Sequence, residues 1–407
     1  MPTQRFNDME SLLGPNISPH NASAPNCSPS APQVPLPRAV AIQNFSWGCH
    51  ACYNTAVRKG GSSFVGIENV QNLCRQRTGT RSPEWIRRKW AQGHVASSTH
   101  GIVRGLGLHT VCESARCPNR GECWQRRTVT FIVLGDTCTR HCSFCAVPKG
   151  IPAPLDGAEP ENVAQAVREL GLAHVVITSA TRDDLPDGGA AHIAATIKAV
   201  RRQSPATKIE TLVPDFQGDR AAREVVLSAE PDVFGHNLEM VARLYPLLRD
   251  ARHSYRRSLE VIRGAAACAE GNNGTPIVKS AMMVGLGETD DEVVAALRDL
   301  RDAGCVAVNI GQYLQPSRQQ LDVARFVTPV QFEEYERLAY EMGFAHSTAG
   351  PFVRSSYHSD ELWNGADSNK PASEVSVGQV TALSSQEGEE VRRYALRGDP
   401  AQHGRRR

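Results

Sequence analysis

Six of the twelve cysteines fall within residues 112–145, CESARCPNRGECWQRRTVTFIVLGDTCTRHCSFC, in two groups of three. Cys112, Cys117 and Cys123 are spaced C-x4-C-x5-C, and Cys138, Cys142 and Cys145 are spaced C-x3-C-x2-C. Three thiolates suit zinc poorly, because a structural zinc site closes a tetrahedron with four ligands. A four-iron cluster is usually held by four cysteines, so three leave one iron open to a ligand that is not a thiolate. A zinc knot or a set of buried thiols is the competing reading. Between the two groups runs TVTFIVL, a β-branched apolar run that predicts a buried strand. The second triplet therefore sits in a loop that leaves the end of a strand.

C-x3-C-x2-C with an aromatic residue, Phe144, before the last cysteine resembles the signature of the radical S-adenosylmethionine superfamily, which holds its cluster in such a loop. An open iron there can chelate the amino and carboxylate groups of S-adenosylmethionine. One electron from the cluster then breaks a carbon–sulfur bond and yields a 5′-deoxyadenosyl radical. The first triplet narrows the resemblance. CESARCPNRGECW, then GDTCTRHCSFCAV after a strand, resembles the lipoyl synthase family, and so do TSATRDDLPDGGA, IETLVPDF, GHNLE, KSAMMVGLGE, IGQYLQPS and GPFVRSSYHSD. The likeness covers residues 81–363.

The resemblance implies two 4Fe–4S clusters and two molecules of S-adenosylmethionine for each product. The product would carry two sulfur atoms, at carbons 6 and 8 of an octanoyl chain amide-linked to a carrier lysine. The sulfur would come from the cluster on Cys112, Cys117 and Cys123, which is sacrificed. Its fourth ligand would be the second serine of RSSY, Ser356; alone, that residue would read as a turn or capping serine. A serine oxygen is a harder ligand than a thiolate and can leave first. Thr178, Ser179, Glu210, Asn237 and Gly285 are candidate S-adenosylmethionine contacts, although strand-end polar groups and turn glycines also occur for structural reasons. Implied partners are octanoylated lipoyl-carrier domains (2-oxoacid dehydrogenase acyltransferase subunits, the glycine cleavage H protein), a low-potential electron donor such as ferredoxin or flavodoxin, and an iron–sulfur cluster carrier. Two alternatives remain open: a radical sulfur inserter acting on a free small molecule, and a non-enzymatic iron–sulfur carrier.

The elements that position these residues follow from periodicity. Strands are predicted at 129–134, 174–180, 208–214, 232–238, 276–284 and 306–313, with helices between them. Val163, Ala166, Val167 and Leu170 make one apolar helix face over 159–170. Thr289 and Glu292 make a capping box for a helix over 289–304 ending at Gly304, and Thr328–Pro329 starts another over 328–343. Six β–α units imply parallel strands with right-handed crossovers, two short of a closed eight-stranded barrel. The expected fold is α/β: a partial (β/α)6 barrel over 128–350, preceded by an arm (81–127) bearing the first triplet. A C-terminal segment (351–363) bearing Ser356 is expected to cross the barrel mouth. Chemistry is then expected at the carboxyl ends of the strands. His141 reads as a solvent-facing spacer in the cluster loop, and Cys268 and Cys305 as core thiols.

Composition sets outer limits. The 407 residues include 45 Lys plus Arg and 43 Asp plus Glu, a net charge of +2 that gives no signal for nucleic acid. No apolar run is long enough for a bilayer and no secretory pattern opens the chain, so reduced thiols and a cytoplasmic setting are expected. Residues 1–80, with eight prolines in the first forty, read as a disordered extension, and residues 364–407 as a disordered tail. Cys27, Cys49, Cys52 and Cys74 read as chance cysteines in that extension.

Overall fold

The computed structural model describes residues 83–86, 94–126, 128–357 and 359–363. The expected extension and tail, with Cys27, Cys49, Cys52 and Cys74, lie outside the described residues. In chain order the elements are α1 (His94–Gly105), β1 (His109–Thr110), α2 (Val111–Ser114), α3 (Arg120–Gln125), β2 (Thr130–Val133), α4 (Glu159–Leu170), β3 (His174–Ser179), α5 (Ala190–Gln203), β4 (Lys208–Leu212), α6 (Arg220–Leu227), β5 (Val233–Gly235), α7 (Tyr245–Leu248), α8 (Tyr255–Glu270), β6 (Ile277–Val284), α9 (Asp290–Asp302), β7 (Ala307–Gln312), α10 (Pro329–Glu341) and β8 (His346–Gly350).

One sheet runs in sequence order from β1 to β8. β1 pairs antiparallel with β2, and every later pairing is parallel. All six expected strands are present, in a barrel left open between β8 and β1. The sheet is one parallel strand longer than expected. β8, with sequence HSTAG, follows α10 as a further β–α–β unit. It lacks the β-branched apolar run that marks its neighbours, so periodicity passes over it.

The helices form where sequence and caps agree. α4 buries Val163, Ala166, Val167 and Leu170 and stops at Gly171, which is left-handed at φ 60°. Each such Val or Leu contributes about 1.5–3 kcal/mol on burial. Both halves of the Thr289–Glu292 capping box form at α9, and Thr328 caps α10 ahead of Pro329. Strand residues alternate between two environments. Phe131, Val133, Val175, Ile177, Ile209, Phe234, Val278, Val308 and Ile310 face the helices in the main core. Thr130, Thr178, Glu210, Lys279 and Asn309 have the opposite parity and point into the lumen, which is polar at several levels.

After β8 the chain turns back into the lumen, and we call residues 351–363 the strap. It descends past the inward residues of β7. The Val353 carbonyl sits where a side chain on Gly311 would be, 2.1 Å from an ideal Cβ. Asn309 Nδ2 donates to the carbonyls of Arg354 (2.8 Å) and Ser355 (3.2 Å). At the bottom Leu362 packs on Val233, Ile277 and Ala307, residues that begin β5, β6 and β7. The expected segment across the mouth at the strand carboxyl ends is instead a strap that descends inside the lumen and packs against the amino-terminal ends of β5, β6 and β7. The arm runs beside it. Asn119 Nδ2 donates to the Phe352 carbonyl (2.7 Å), Tyr357 OH to Glu122 (3.1 Å), and Arg126 pairs with Asp360 (2.8 Å). Arm and strap together cover the open side between β1 and β8.

Candidate active site

The second triplet lies in the loop after β2, and the loop begins with a sharp reversal. Leu134 is left-handed at φ 71° and Gly135 at φ 80°. That strained turn is pinned from both sides. Glu159, the first residue of α4, accepts from Leu134 N (2.7 Å), and Arg182 Nη1 donates to Leu134 O (2.7 Å). His192 braces Glu159 at 2.7 Å. Beyond the turn the loop is tied down residue by residue. Thr139 N and Oγ1 donate to Thr181 O (3.0 and 2.9 Å), Ser143 N to Leu248 O (3.0 Å), and Lys149 Nζ to Cys142 O (2.7 Å). His141 is exposed as expected; its backbone N donates to Asp250 (2.8 Å), and its ring Nδ1 lies 3.8 Å from the same carboxylate.

Arg140 is the unexpected residue. Its side chain is 0% exposed and its guanidinium lies beneath the loop. Two of its nitrogens reach Asp183 at 2.8 Å each, and Nη2 also reaches Asp215 at 2.8 Å. This fork holds the cluster loop, the loop after β3 and the end of β4 together. Burial would raise the Asp215 carboxyl, but His253 and Arg140 override it and hold Asp215 well below the usual carboxylate range.

Cys138, Cys142 and Cys145 all line one cavity of about 170 Å³ at the carboxyl ends of the strands, as expected for this fold. Phe144, Thr178, Ser179 and Asn237 line it too. The sequence reading did not single out Glu239, Arg249 and His253, which share its wall with His236. Arg249 Nη1 donates to Tyr245 OH (2.7 Å), and the guanidinium lies against the Cys142 sulfur. Glu239 is left-handed at φ 70°, is raised by burial, and accepts from Asn237 Nδ2 (3.2 Å). The Ser179 hydroxyl and Arg249 Nε are buried without a hydrogen-bond partner. Such groups call for an acceptor from outside the protein. An open depression of about 420 Å³ adjoins the cavity at Thr181 and Pro214.

Two expected contacts are not brought to this cavity. Glu210 is spent on a buried ion pair with Lys279 (3.1 and 3.2 Å) and a bond to His174 (3.3 Å), because it stands two residues before Leu212, which lines the cavity, and so lies deeper in the lumen. Gly285, at φ 96°, makes room for protein: a Cβ there would meet Gln312 Nε2 at 2.1 Å and Arg325 O at 2.4 Å. Gln312 and Glu288 are likewise occupied with backbone, Glu288 accepting from Gly285 N (2.6 Å) and Leu286 N (2.9 Å).

Among the described residues three sulfurs line this cavity, a donor set that would leave one iron of a four-iron cluster open. They face one cavity, and Cys138 and Cys142 are near enough to Cys145 to disfavour its charge. Burial, helped by those neighbours, pushes the Cys145 thiol up to about 11, and burial raises Cys142. The Cys142 and Cys145 thiols are therefore protonated without metal, and cluster binding must release their protons. Among the described residues, the two cysteines outside the triplets are not at hand as a fourth ligand. Cys305 is a core thiol bonded to Ala307 O (3.2 Å), and Cys268 is half-buried in α8.

Of the first triplet, Cys112 and Cys117 lie side by side near the start of β2. Burial pushes Cys112 up to about 11, and Cys117 beside it adds to the rise. The Thr130 backbone and the Trp124 indole face the Cys112 sulfur, and Trp124 Nε1 is otherwise buried without a partner. Cys123 is partly buried in α3, against the core. Ser356 Oγ lies 3.0 Å from Thr130 Oγ1, so Ser356 and Cys112 meet on the same residue.

Comparison with known proteins agrees with this geometry. Residues 132–311 match the radical SAM superfamily model, which implies a 4Fe–4S cluster and S-adenosylmethionine. The chain is 51% identical to the lipoyl synthase of Rubrobacter xylanophilus over 279 residues, covering 69% of this chain and 85% of that one. It is 48% identical to that of Geobacter sulfurreducens over 310 residues, 75% of this chain and 99% of the relative. It is 48% identical to that of Thermus thermophilus over 282 residues, 69% and 86% of the two chains. With two cysteine triplets on a radical SAM barrel and identity of this extent, the chain belongs to the lipoyl synthase family.

Proposed function

We propose that the enzyme inserts two sulfur atoms, at carbons 6 and 8, into an octanoyl chain amide-linked to a lysine of a lipoyl-carrier protein. Cys138, Cys142 and Cys145 hold the radical-generating cluster. Cys112, Cys117, Cys123 and Ser356 hold a second cluster that supplies the sulfur. When bound, the first cluster with S-adenosylmethionine supplies the radical that removes hydrogen from unactivated carbon. The protein's own work is to hold and orient. Arg140 fixes the loop that carries Cys138, Cys142 and Cys145. Ser179 and Arg249 offer unpartnered donors suited to the cofactor's carboxylate, and Phe144, Thr178 and Asn237 wall it in. The 2-oxoacid dehydrogenase acyltransferase subunits and the glycine cleavage H protein are the carriers of this reading. A ferredoxin or flavodoxin is the electron donor, an iron–sulfur carrier refills the second site, and the setting is the cytoplasm.

The observation that supports this most directly is the meeting of Ser356 with the start of β2, beside Cys112. Residues 226 positions apart come within 3.0 Å at Thr130, beside Cys112. The polar lumen lies between that point and the second triplet, Cys138, Cys142 and Cys145. The test is anaerobic incubation of the full chain with an octanoylated carrier domain, reductant and S-adenosylmethionine, with mass spectrometry of the carrier lysine. A gain of two sulfurs is expected. Cleavage of S-adenosylmethionine with sulfur appearing only on free octanoate would overturn the carrier assignment.

A further inference from the structure

Lys279 projects from β6 into the lumen with its side chain 3% exposed. An ammonium has three donors, and three contacts meet it: Glu210 Oε1 at 3.1 Å, Glu210 Oε2 at 3.2 Å and Ser359 Oγ at 2.7 Å. Glu210 is braced in turn by His174 (3.3 Å). Strands β3, β4 and β6 thus converge through one charge network on a single strap residue. Such a network is costly, because two buried charges give up water, and an apolar set of similar volume is often as stable. What a buried ion pair supplies better than apolar packing is register.

The strap needs register. Before and beside Ser356 it is held by Asn309 on Arg354 and Ser355, Asn119 on Phe352 and Tyr357 on Glu122; beyond Ser356 its apolar anchor, Leu362 on Val233, Ile277 and Ala307, is non-directional and would tolerate sliding. Its ion pair with the arm, Arg126–Asp360, is 38% and 34% exposed, worth at most about 1 kcal/mol. Ser359 stands three residues after Ser356. We propose that Lys279 is a positioning residue for Ser356: its bond to Ser359 sets the strap's register and so presents the Ser356 hydroxyl to the arm. Glu210 and His174 are the groups that aim Lys279. The proposal rests on the reading of Ser356 as a cluster ligand. It assigns the buried charge of the lumen to the sulfur-donating site, and not to S-adenosylmethionine.

The test uses the full chain, prepared anaerobically, in two forms. Hydrogen exchange of peptides spanning 350–363 is followed in metal-free protein. Iron content and Mössbauer spectra are followed after reconstitution, with S-adenosylmethionine cleavage as the internal reference. Ser359→Ala removes the contact gently. Lys279→Met strands Glu210, so Lys279→Met/Glu210→Leu is made beside it to remove both charges together. In Ser359→Ala and in the double variant the strap amides should exchange about tenfold faster or more. The auxiliary cluster should be lost or altered, taking iron from about eight toward about four per chain, with cleavage retained. Unchanged exchange in both variants overturns the inference, and so does a released strap with an unaltered auxiliary cluster. Ser356→Ala separates the two ideas. An unaltered auxiliary cluster in that variant, with the strap still protected, strikes the ligand reading instead.

Discussion

Arg140→Met is the most informative single change, because it removes a cation that the fold has fully buried. The side chains of Arg140 and Asp215 are both 0% exposed, and that of Asp183 is 11% exposed. Breaking a buried pair by deleting one partner typically costs about 3–5 kcal/mol. The lower end applies here. Asp183 keeps Arg252 at 3.1 Å, and Asp215 keeps Arg257 at 3.4 Å and His253 at 3.7 Å. A loss of about 3 kcal/mol is therefore expected from the midpoint of urea unfolding of metal-free protein. The sign of its pH dependence follows from Asp215. A carboxyl held below its ordinary 3.8 contributes stability that is fully present above that pH and is lost as pH falls through the folded value. Arg140→Met lets that value rise, so the gap between variant and parent should be widest above about pH 4 and narrow below it. Adding Asp183→Leu removes one stranded carboxylate and should recover about 1 kcal/mol or more. The reconstituted variant should also hold less iron at Cys138, Cys142 and Cys145. A loss under about 1 kcal/mol, with no coupling to Asp183, would refute the clamp.

Three further outcomes are expected. Cys142→Ala should abolish S-adenosylmethionine cleavage, whereas Cys117→Ala should still release 5′-deoxyadenosine yet add no sulfur to the carrier; equal loss of cleavage in two folded variants would contradict the division of labour. Gly189→Ala puts a methyl 2.3 Å from Leu134 Cδ1 at φ 89°, so it should destabilise by about 1–3 kcal/mol and disturb the turn that launches the cluster loop. Deleting residues 1–75 should leave iron content and turnover nearly unchanged; loss of a cluster would make Cys49 and Cys52 ligands.

Where local signals carry the structure, the sequence is a good guide. α4 keeps its expected bounds, 159–170, because an apolar stripe and a glycine stop agree. α9 and α10 start where their caps stand. Non-local determinants stay hidden. Arg140 occupies a motif gap and looks like its neighbour His141, yet one is fully buried and the other exposed. The difference is made by Asp183, 43 residues on, and Asp215. Glu210 carries a strand-end carboxylate's usual suggestion of ligand binding, and only its parity against Lys279 and His174 reveals another duty. β8 is nearly invisible because HSTAG has no strand-like apolar run, although a seventh strand pairs there in full register.

The seam between arm and strap fixes an order of assembly. Each strand from β2 to β8 pairs with the strand made just before it, so the sheet can grow as the chain leaves the ribosome. The loop bearing Cys138, Cys142 and Cys145 finds Asp183, Asp215, Leu248 and Asp250 by the time residue 250 is made. The arm and the start of β2 emerge before all of these and wait longest: Asn119, Glu122 and Thr130 meet Phe352, Tyr357 and Ser356 across 233, 235 and 226 residues. The proposed site of Cys112, Cys117, Cys123 and Ser356 would therefore be the last part of the molecule to close. Because the strap belongs to no strand pairing, it is also the part that can reopen while the barrel stays intact.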